Sequence, residues 1–305
     1  SEPSGRYATD KLSARAEFSY EGARRRSKLT LDAKEGQAYA EPLFLDFGVL
    51  PLRANASISG DARGWKIDAL HAVAGKAGMA DIAGRLTRDY KPQDLILRYD
   101  AADLGPIVTS YLQPFLIGTQ MEGLELSGRA SGQASMKAGA ADAMASALHG
   151  VKLNVPKLGL VLDGLDGNLA WNASEPAETR LKWSGGVARK IPLQASQIAV
   201  RMQGKNARLI EPWRQPMLQG ALKVQKLALR DIGAAEFSAD FEGAVEPMNL
   251  AELCKALGWP QFGGTIGGTL PGLSVRDNVW SFRGALEAQV FDGSLKVENL
   301  RAIDP

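Results

Sequence analysis

Residues 52–60 read LRANASISG, and this stretch carries the pattern that decides the fold. Its apolar side chains Leu52, Ala54, Ala56 and Ile58 alternate with polar or charged ones. Because successive side chains of a β-strand point to opposite faces, a period of two predicts a strand with one apolar and one polar face. The same alternation returns at residues 14–20, 95–99, 158–162, 198–202, 222–229 and 282–297.

Short turn signals separate these runs. Asp163-Gly164, Asp166-Gly167 and Asp292-Gly293 are dipeptides that tolerate positive φ, so we expect a hairpin turn at each. Strands that are joined by short turns are antiparallel neighbours, since parallel pairing needs long crossovers. The sequence therefore predicts an all-β, mainly antiparallel fold with a strand content well above that of an average globular protein.

Two segments depart from the alternation and predict short helices. In residues 249–257 apolar side chains recur at i, i+3, i+4 and i+7, and Asn249 is suited to cap the start. Residues 103–115 show a similar apolar stripe after Asp103. Cys254, the single cysteine, lies on the stripe of the second helix. We expect it to be a packed thiol rather than a nucleophile or a metal ligand.

Glycine-rich strand patterns follow both predicted helices, and this coarse repetition suggests the domain organisation. Residues 1–102 form a β-meander segment in this interpretation. Residues 103–248 form a unit of helix plus β-meander. Residues 249–305 form a second such unit, which is truncated at its C-terminal end. We expect both ends of the chain to be cuts within a longer protein.

The composition and the spacing of reactive residues favour a protein that is not an enzyme. The chain has 305 residues, is 45% hydrophobic and has a net charge of +2, without the basic excess of a nucleic-acid binder. His71 and His149 lack metal-ligand spacing, and no phosphate-binding or nucleophile-elbow motif occurs. Scattered carboxylates leave acid-pair hydrolysis open. We predict no catalytic residue, no metal, no cofactor and no nucleic-acid partner.

The C-terminal motifs resemble a known family. After the second helix, residues 263–273 read GGTIGGTLPGL, and the strand patterns QVFDG (289–293) and SLKVENL (294–300) follow. This arrangement resembles the AsmA-like bacterial envelope proteins, and among them the YdbH type. The match is best over residues 249–305. Over residues 1–248 it consists of the glycine-ended alternating strands and the first helix.

The resemblance implies a fold and a function. It implies a periplasmic protein, anchored in the inner membrane through a segment absent from this chain. Its elongated β-sheet curls into a trough with an apolar interior and a few short helices, and carries phospholipid between the inner and outer membranes. A small outer-membrane lipoprotein is an expected partner at the C-terminal end. An open sheet of many strands must also curl or split on physical grounds.

The expected site is the apolar interior, where acyl chains bind without catalytic residues because each buried methylene contributes about 0.8 kcal/mol. The residues expected to line this lipid groove are Leu95, Leu97, Leu158, Leu160, Ile198, Val200, Leu222, Val224, Phe282 and Leu286. An alternative is a structural β-solenoid or adhesin-like stalk whose interior is filled by its own side chains. The unequal strand lengths and the two helices favour the groove. An enzyme on a β scaffold has only the scattered carboxylates in its favour.

Overall fold

The computed structural model describes residues 7–22, 26–41, 43–61, 64–234, 237–276, 279–290, 293–298 and 301–303. The protein is 71% strand and 9% helix, which confirms the predicted all-β class. Its contacts divide the chain into two compact units, Ser1–Lys157 and Leu158–Pro305. The segment boundaries predicted from the two helices, at residues 103 and 249, fall inside these units.

The described residues of the first unit form nine strands. These are β1 Tyr7–Glu21, β2 Arg26–Ala40, β3 Leu43–Asp46, β4 Leu52–Asp61, β5 Gly64–Ala74, β6 Gly78–Leu86, β7 Pro92–Ala101, β8 Glu125–Lys137 and β9 Ala140–Val155. Strand β2 pairs with β1, β3 and β4, and β4 to β9 pair in chain order. All of these pairs are antiparallel, as the short turns predict.

The connection between β7 and β8 contains the first predicted helix. Asp103 caps it, because its Oδ1 accepts a hydrogen bond from Gly105 N (3.0 Å). The segment is irregular, since Pro114 has no N–H to donate to the helical ladder. It consists of helix α1 (Leu104–Ile107), a π-helical turn (Val108–Leu112) and a 3₁₀ turn (Gln113–Phe115). The helix is therefore confirmed over residues 104–115, although regular α geometry is limited to its first turn.

The described residues of the second unit form eleven strands. These are β10 Leu160–Asn172, β11 Ala177–Ala188, β12 Ile191–Gln203, β13 Asn206–Leu209, β14 Trp213–Met217, β15 Gly220–Arg230, β16 Ser238–Asn249, β17 Gly264–Arg276, β18 Val279–Val290, β19 Gly293–Glu298 and β20 Arg301–Ile303. Strands β10 to β12 pair in order, and the short strands β13 and β14 both lie between β12 and β15. Strands β15 to β18 again pair in order, and β18 also pairs with β19 and β20.

Helix α2 (Leu250–Leu257) confirms the second helix prediction. Asn249 caps its start, because its Oδ1 accepts a hydrogen bond from Glu252 N (3.1 Å). Gly258 ends the helix in a left-handed conformation with φ of 73°, as glycine allows at this position. Cys254 is 1% exposed, so the thiol is packed inside the unit as expected.

The hairpin turns predicted at two Asp-Gly dipeptides are wrong. Asp163-Gly164 and Asp166-Gly167 lie inside β10. Gly164 and Gly167 do have positive φ angles of 61° and 126°, so the local conformation was predicted but not its role. A Cβ atom on Gly167 would lie 2.2 Å from Arg180 O, so this glycine allows the neighbouring strand to approach closely. The third dipeptide, Asp292-Gly293, has its aspartate outside the described residues.

Candidate binding site: the apolar faces of the two units

The first unit has one apolar and one polar sheet face. Directly opposed residues on paired strands point to the same face. One continuous row of such partners, called the central row here, consists of Phe18, Leu29, Ala56, Leu70, Ile82, Leu97, Ala134 and Met144. The row one residue along, on the opposite face, consists of Glu17, Thr30, Asn55, His71, Asp81, Arg98, Gln133 and Ala145. The alternation predicted from the sequence therefore separates the two faces across eight of the described strands of this unit, β1, β2 and β4 to β9.

A second apolar row, at the end of the strands near α1, forms a closed core. This basal row consists of Ala33, Leu52, Ala74, Gly78, Ala101, Ala130 and Leu148. Leu104 and Val108 of the helical segment are buried, at 9% and 4% exposure. Ile107 lies so close that its Cδ1 would be 3.2 Å from a Cβ atom on Gly78. The helical segment therefore packs on this end of the apolar face.

The central row is much more open than the basal row. Phe18 is 68% exposed and Leu29 is 38% exposed, whereas Ala101 in the basal row is 2% exposed. Leu70, Ile82 and Leu97, farther along the central row, are half-buried. Large apolar side chains thus form a continuous surface that water reaches, on the same face whose other end is closed.

The row between these two consists mainly of small side chains. Its described members are Leu31, Ala54, Ala72, Ala80, Tyr99, Gly132 and Ser146. The hydroxyl groups of Tyr99 and Ser146 form a hydrogen bond with each other. These two polar groups are thereby satisfied within the row, and the surface that they share with the alanines remains apolar in character.

The polar face of the first unit has exposed ion pairs of the kind common on protein surfaces. His71 Nδ1 lies 2.8 Å from Asp81 Oδ1, and Arg129 forms an ion pair with Asp100 at 2.9 Å. Exposed pairs of this kind contribute little to stability. The described residues contain no group of three or more His, Cys, Asp or Glu side chains that is arranged to hold a metal ion.

In the second unit the buried side of the sheet changes along the strands. In β11, Leu181 and Trp183 are the more buried positions, whereas beyond Gly185 the exposed residue is Val187. In β12, two consecutive residues, Gln194 and Ala195, are exposed at the corresponding place. Gly185 and Gln194 are cross-strand partners, so the two changes coincide. A strict period of two therefore does not describe one continuous face here.

Part of the second unit's apolar face is closed by its own side chains. Val224 is 1% exposed and is the cross-strand partner of Trp213 on one side and Gly243 on the other. The ring of Phe241 lies over Gly243, because its Cζ would be 2.7 Å from a Cβ atom there. Trp183 and Trp213 contact edge to face, with ring centroids 6.2 Å apart. Val224 is therefore closed off by its neighbours in this structure, whereas the sequence interpretation expected it to line an open groove.

Two buried polar atoms in the second unit have no hydrogen-bond partner among the described residues. They are Trp183 Nε1 and Gln215 Oε1, on side chains 7% and 2% exposed. The amide of Gln215 is nevertheless fixed, since its Nε2 donates to Gln194 O and Pro216 O, both at 2.9 Å. An unsatisfied buried donor or acceptor costs about 1–3 kcal/mol, so a water or a polar ligand group would be bound favourably there.

The structure places the ten predicted groove residues in different surroundings. Leu95 and Leu97 lie on the open apolar face of the first unit. In the second unit, Ile198, Val200 and Leu222 are half-buried, and Ser196, on the same side of β12 as Ile198, accepts a hydrogen bond from Trp213 Nε1 (3.1 Å).

Leu160 and Leu158 depart from the prediction. Leu160 pairs with Ala188, and the register puts it on the opposite side of the sheet from Ile198, which pairs with Leu181. Leu158 is not part of a strand: it lies in a 3₁₀ turn (Pro156–Leu158) and is 38% exposed. The side chains of Phe282 and Leu286 lie outside the described part of the chain.

The sequence interpretation missed most of the central row. Phe18 belonged to a recognised alternating run, but only Leu97 of this row was selected as a site residue. The signal was present, because Leu70 and Ile82 also lie in strands with small or apolar residues two positions away. What the sequence lacked was the register that brings these residues into one line.

A charged cluster on the polar side of the second unit surrounds Glu246. Its carboxylate accepts hydrogen bonds from Arg214 and Lys223, each at 2.6 Å. These contacts, with that of Arg214 the larger, hold the pKa of Glu246 below its ordinary value. The cluster is open to solvent and links side chains of three adjacent strands, β14, β15 and β16, as expected of a solvated face.

Comparison of the chain with protein-family models, with curated proteins and with solved structures finds no match. Among the described residues, no helix has the length and apolar character needed to cross a membrane.

Proposed function

We propose that the apolar face of the first unit binds the acyl chains of lipids. The observation that carries this proposal is the central row, in which Phe18, Leu29 and Leu97 belong to one exposed or half-buried line across eight described strands. Scattered apolar side chains are normal on protein surfaces, but contiguous exposed patches mark binding sites. A row of aliphatic and aromatic side chains without charge suits a hydrocarbon chain, which gains about 0.8 kcal/mol per buried methylene.

We further propose that binding of acyl chains serves the transport of phospholipid. We propose that the chain is a lipid-binding groove segment of a periplasmic, inner-membrane-anchored protein that carries phospholipid between the inner and outer membranes without enzymatic activity. This step is supported by the resemblance of residues 249–305 to AsmA-like proteins, as is contact with a small outer-membrane lipoprotein. A surface that binds chains through many similar weak contacts, rather than one polar pocket, suits movement along it.

The structural alternative has its own support in the second unit. There, the burial of Val224 and the contact between Trp183 and Trp213 are typical of an interior filled by its own side chains. A structural stalk would need an interior that is filled by its own side chains in both units. The open central row of the first unit is the feature that this alternative does not explain.

The two functions are separated by a lipid-capture experiment. The purified chain is incubated with vesicles that contain a diazirine-bearing phospholipid, irradiated and analysed by mass spectrometry. Leu97→Asp places a charge in the central row, and we expect crosslinking to the first unit to fall several-fold. Ile96→Asp is the matched control, because Ile96 is 48% exposed on the opposite face of the same strand and its substitution should leave crosslinking unchanged.

Circular dichroism and urea midpoints establish that both variants are folded. Because Leu97 is half-buried on a face that water reaches, its aspartate remains hydrated and the fold should survive. Wild-type protein that captures no lipid would support the structural alternative. Equal losses in the two variants would show that crosslinking does not depend on the central row.

A further inference from the structure

The second unit contains an open cavity of about 460 Å³ on the polar face of its sheet. Arg201 and Gln203 of β12, Asn206 and Arg208 of β13, and Arg230 of β15 contribute to its lining. The register explains why these side chains meet. Arg201 lies opposite Arg208, and Gln203 lies opposite Asn206. The two residues on each strand are two positions apart, so all four side chains point to the same face. No carboxylate contributes to the lining that the structure describes.

The pairing of Arg201 with Arg208 is unfavourable in itself. Like charges directly opposite each other on neighbouring strands destabilise a sheet. Glu178, the other cross-strand partner of Arg201, forms an ion pair with it. Arg208 has Ala228 on its other side, so it faces a cation on one strand and a methyl group on the next. The small side chain of Ala228 also leaves space beside the guanidinium.

Arg208 is the uncompensated cation of this cluster. It makes no ion pair or side-chain hydrogen bond with any residue that the structure describes. Arg230, by contrast, forms an ion pair with Asp240 at 2.7 Å. A guanidinium has five N–H donors, so the paired arginines also retain donors for a further acceptor.

We propose that this cavity binds the phosphate group of a phosphate ester. Arginine forks match phosphate oxygens in pairs, and a phosphate group has enough acceptor oxygens to contact more than one guanidinium at once. Arg208 is the central ligand, with Arg201 and Arg230 beside it and the Gln203 and Asn206 amides at the rim. The site lies on the polar side and does not depend on acyl-chain binding. A negative lipid-capture result therefore leaves it standing.

Binding to the full chain is measured by calorimetry with inorganic phosphate and with glycerol 3-phosphate as soluble probes. Arg208→Ala removes the free guanidinium, and we expect at least about a tenfold loss of affinity, as for other hydrogen bonds to charged groups. Arg98→Ala is the matched control. It also removes an exposed arginine without a partner among the described residues, but Arg98 lies opposite Asp81 and Gln133 in the first unit.

Arg208→Glu supplies a stricter test. It replaces a like-charge pair with an opposite-charge pair across from Arg201, so it should raise the urea midpoint while abolishing phosphate binding. A variant that is more stable but no longer binds phosphate is the result expected if Arg208 serves ligand binding at a cost in stability. Phosphate binding that survives Arg208→Glu would overturn the proposal, as would equal losses in the Arg208→Ala and Arg98→Ala variants.

The source of the phosphate is distinguished by flotation with phosphatidylcholine vesicles, with and without phosphatidic acid. Flotation that needs phosphatidic acid and is lost in Arg208→Ala identifies a lipid headgroup. Binding of the soluble probes without flotation identifies a soluble phosphate ester. If neither the soluble probes nor the vesicles bind the wild-type chain, the cavity is not a phosphate site.

Discussion

Substitution of Val224 by alanine tests whether the apolar face of the second unit is packed or open. Val224 is 1% exposed, between Trp213 and Gly243 on the neighbouring strands. Val187, on β11 of the same unit, is 38% exposed and offers the same chemical change at a solvated position. Both substitutions remove the same two methyl groups from a β-strand, so the difference between the variants reports how far each side chain is packed and buried.

The magnitude follows from the atoms removed. Two methyl-sized groups contribute about 0.8 kcal/mol each when they are fully buried. A residual cavity of about 50 Å³ adds up to about 1 kcal/mol, at about 24 cal/mol per Å³. Val224→Ala should therefore lower the free energy of unfolding by about 2–3 kcal/mol. Val187→Ala leaves no closed cavity and should cost less than about 1 kcal/mol.

Urea unfolding followed by tryptophan fluorescence measures both variants. Trp183 and Trp213 report on the second unit, and Trp213 is the direct neighbour of the substituted side chain. The m-value should not change, so that the shift in midpoint reports stability alone. Equal costs for the two variants, within about 0.5 kcal/mol, would refute the packed interior. Val224 would then be accessible, as the groove prediction required.

Two further predictions concern single side chains. Ellman's reagent should label Cys254 slowly in the native protein and at once in urea, because the thiol is 1% exposed; fast native labelling would show that α2 detaches readily. Glu246→Gln should make stability less sensitive to acid. The lowered pKa of Glu246 means that its carboxylate stabilises the fold above the ordinary value of 4.5 and loses this effect as the pH falls through the folded-state pKa. Urea midpoints measured from neutral pH down through the folded-state pKa of Glu246 test this prediction. Identical dependence of the midpoint on pH in the wild type and the variant would contradict it.

The features predicted correctly from the sequence are those that depend on neighbours along the chain. The alternation of Ala54, Ala56 and Ile58 is local, and the register confirms that these residues share one face. Asn249 and Gly258 predict the ends of α2 because caps act within one helical turn. These signals do not require knowledge of which strands meet.

The features missed are those that depend on cross-strand neighbours. Leu97 and Val224 occur in similar alternating runs, but Val224 faces Trp213 whereas Leu97 faces Ile82 and Ala134. The change of buried side at Gly185 also involves two strands together. The turn propensity of Asp163-Gly164 is satisfied within β10, because positive φ at a glycine serves a close strand approach as well as a hairpin.

The distribution of side-chain size explains why the two units differ in what fills their apolar faces. In the second unit the Phe241 ring covers Gly243, so a glycine in the row leaves no opening. In the first unit Ala54, Ala72, Ala80 and Gly132 extend no more than a methyl group from the sheet. Such short side chains leave space above the apolar face of the sheet. Dispersion contacts with that face are lost unless another group, such as a ligand, fills this space. The same period-two pattern therefore yields a closed interior where rings are present and an open apolar surface where alanines are present, and this open surface is the one that we propose to bind acyl chains.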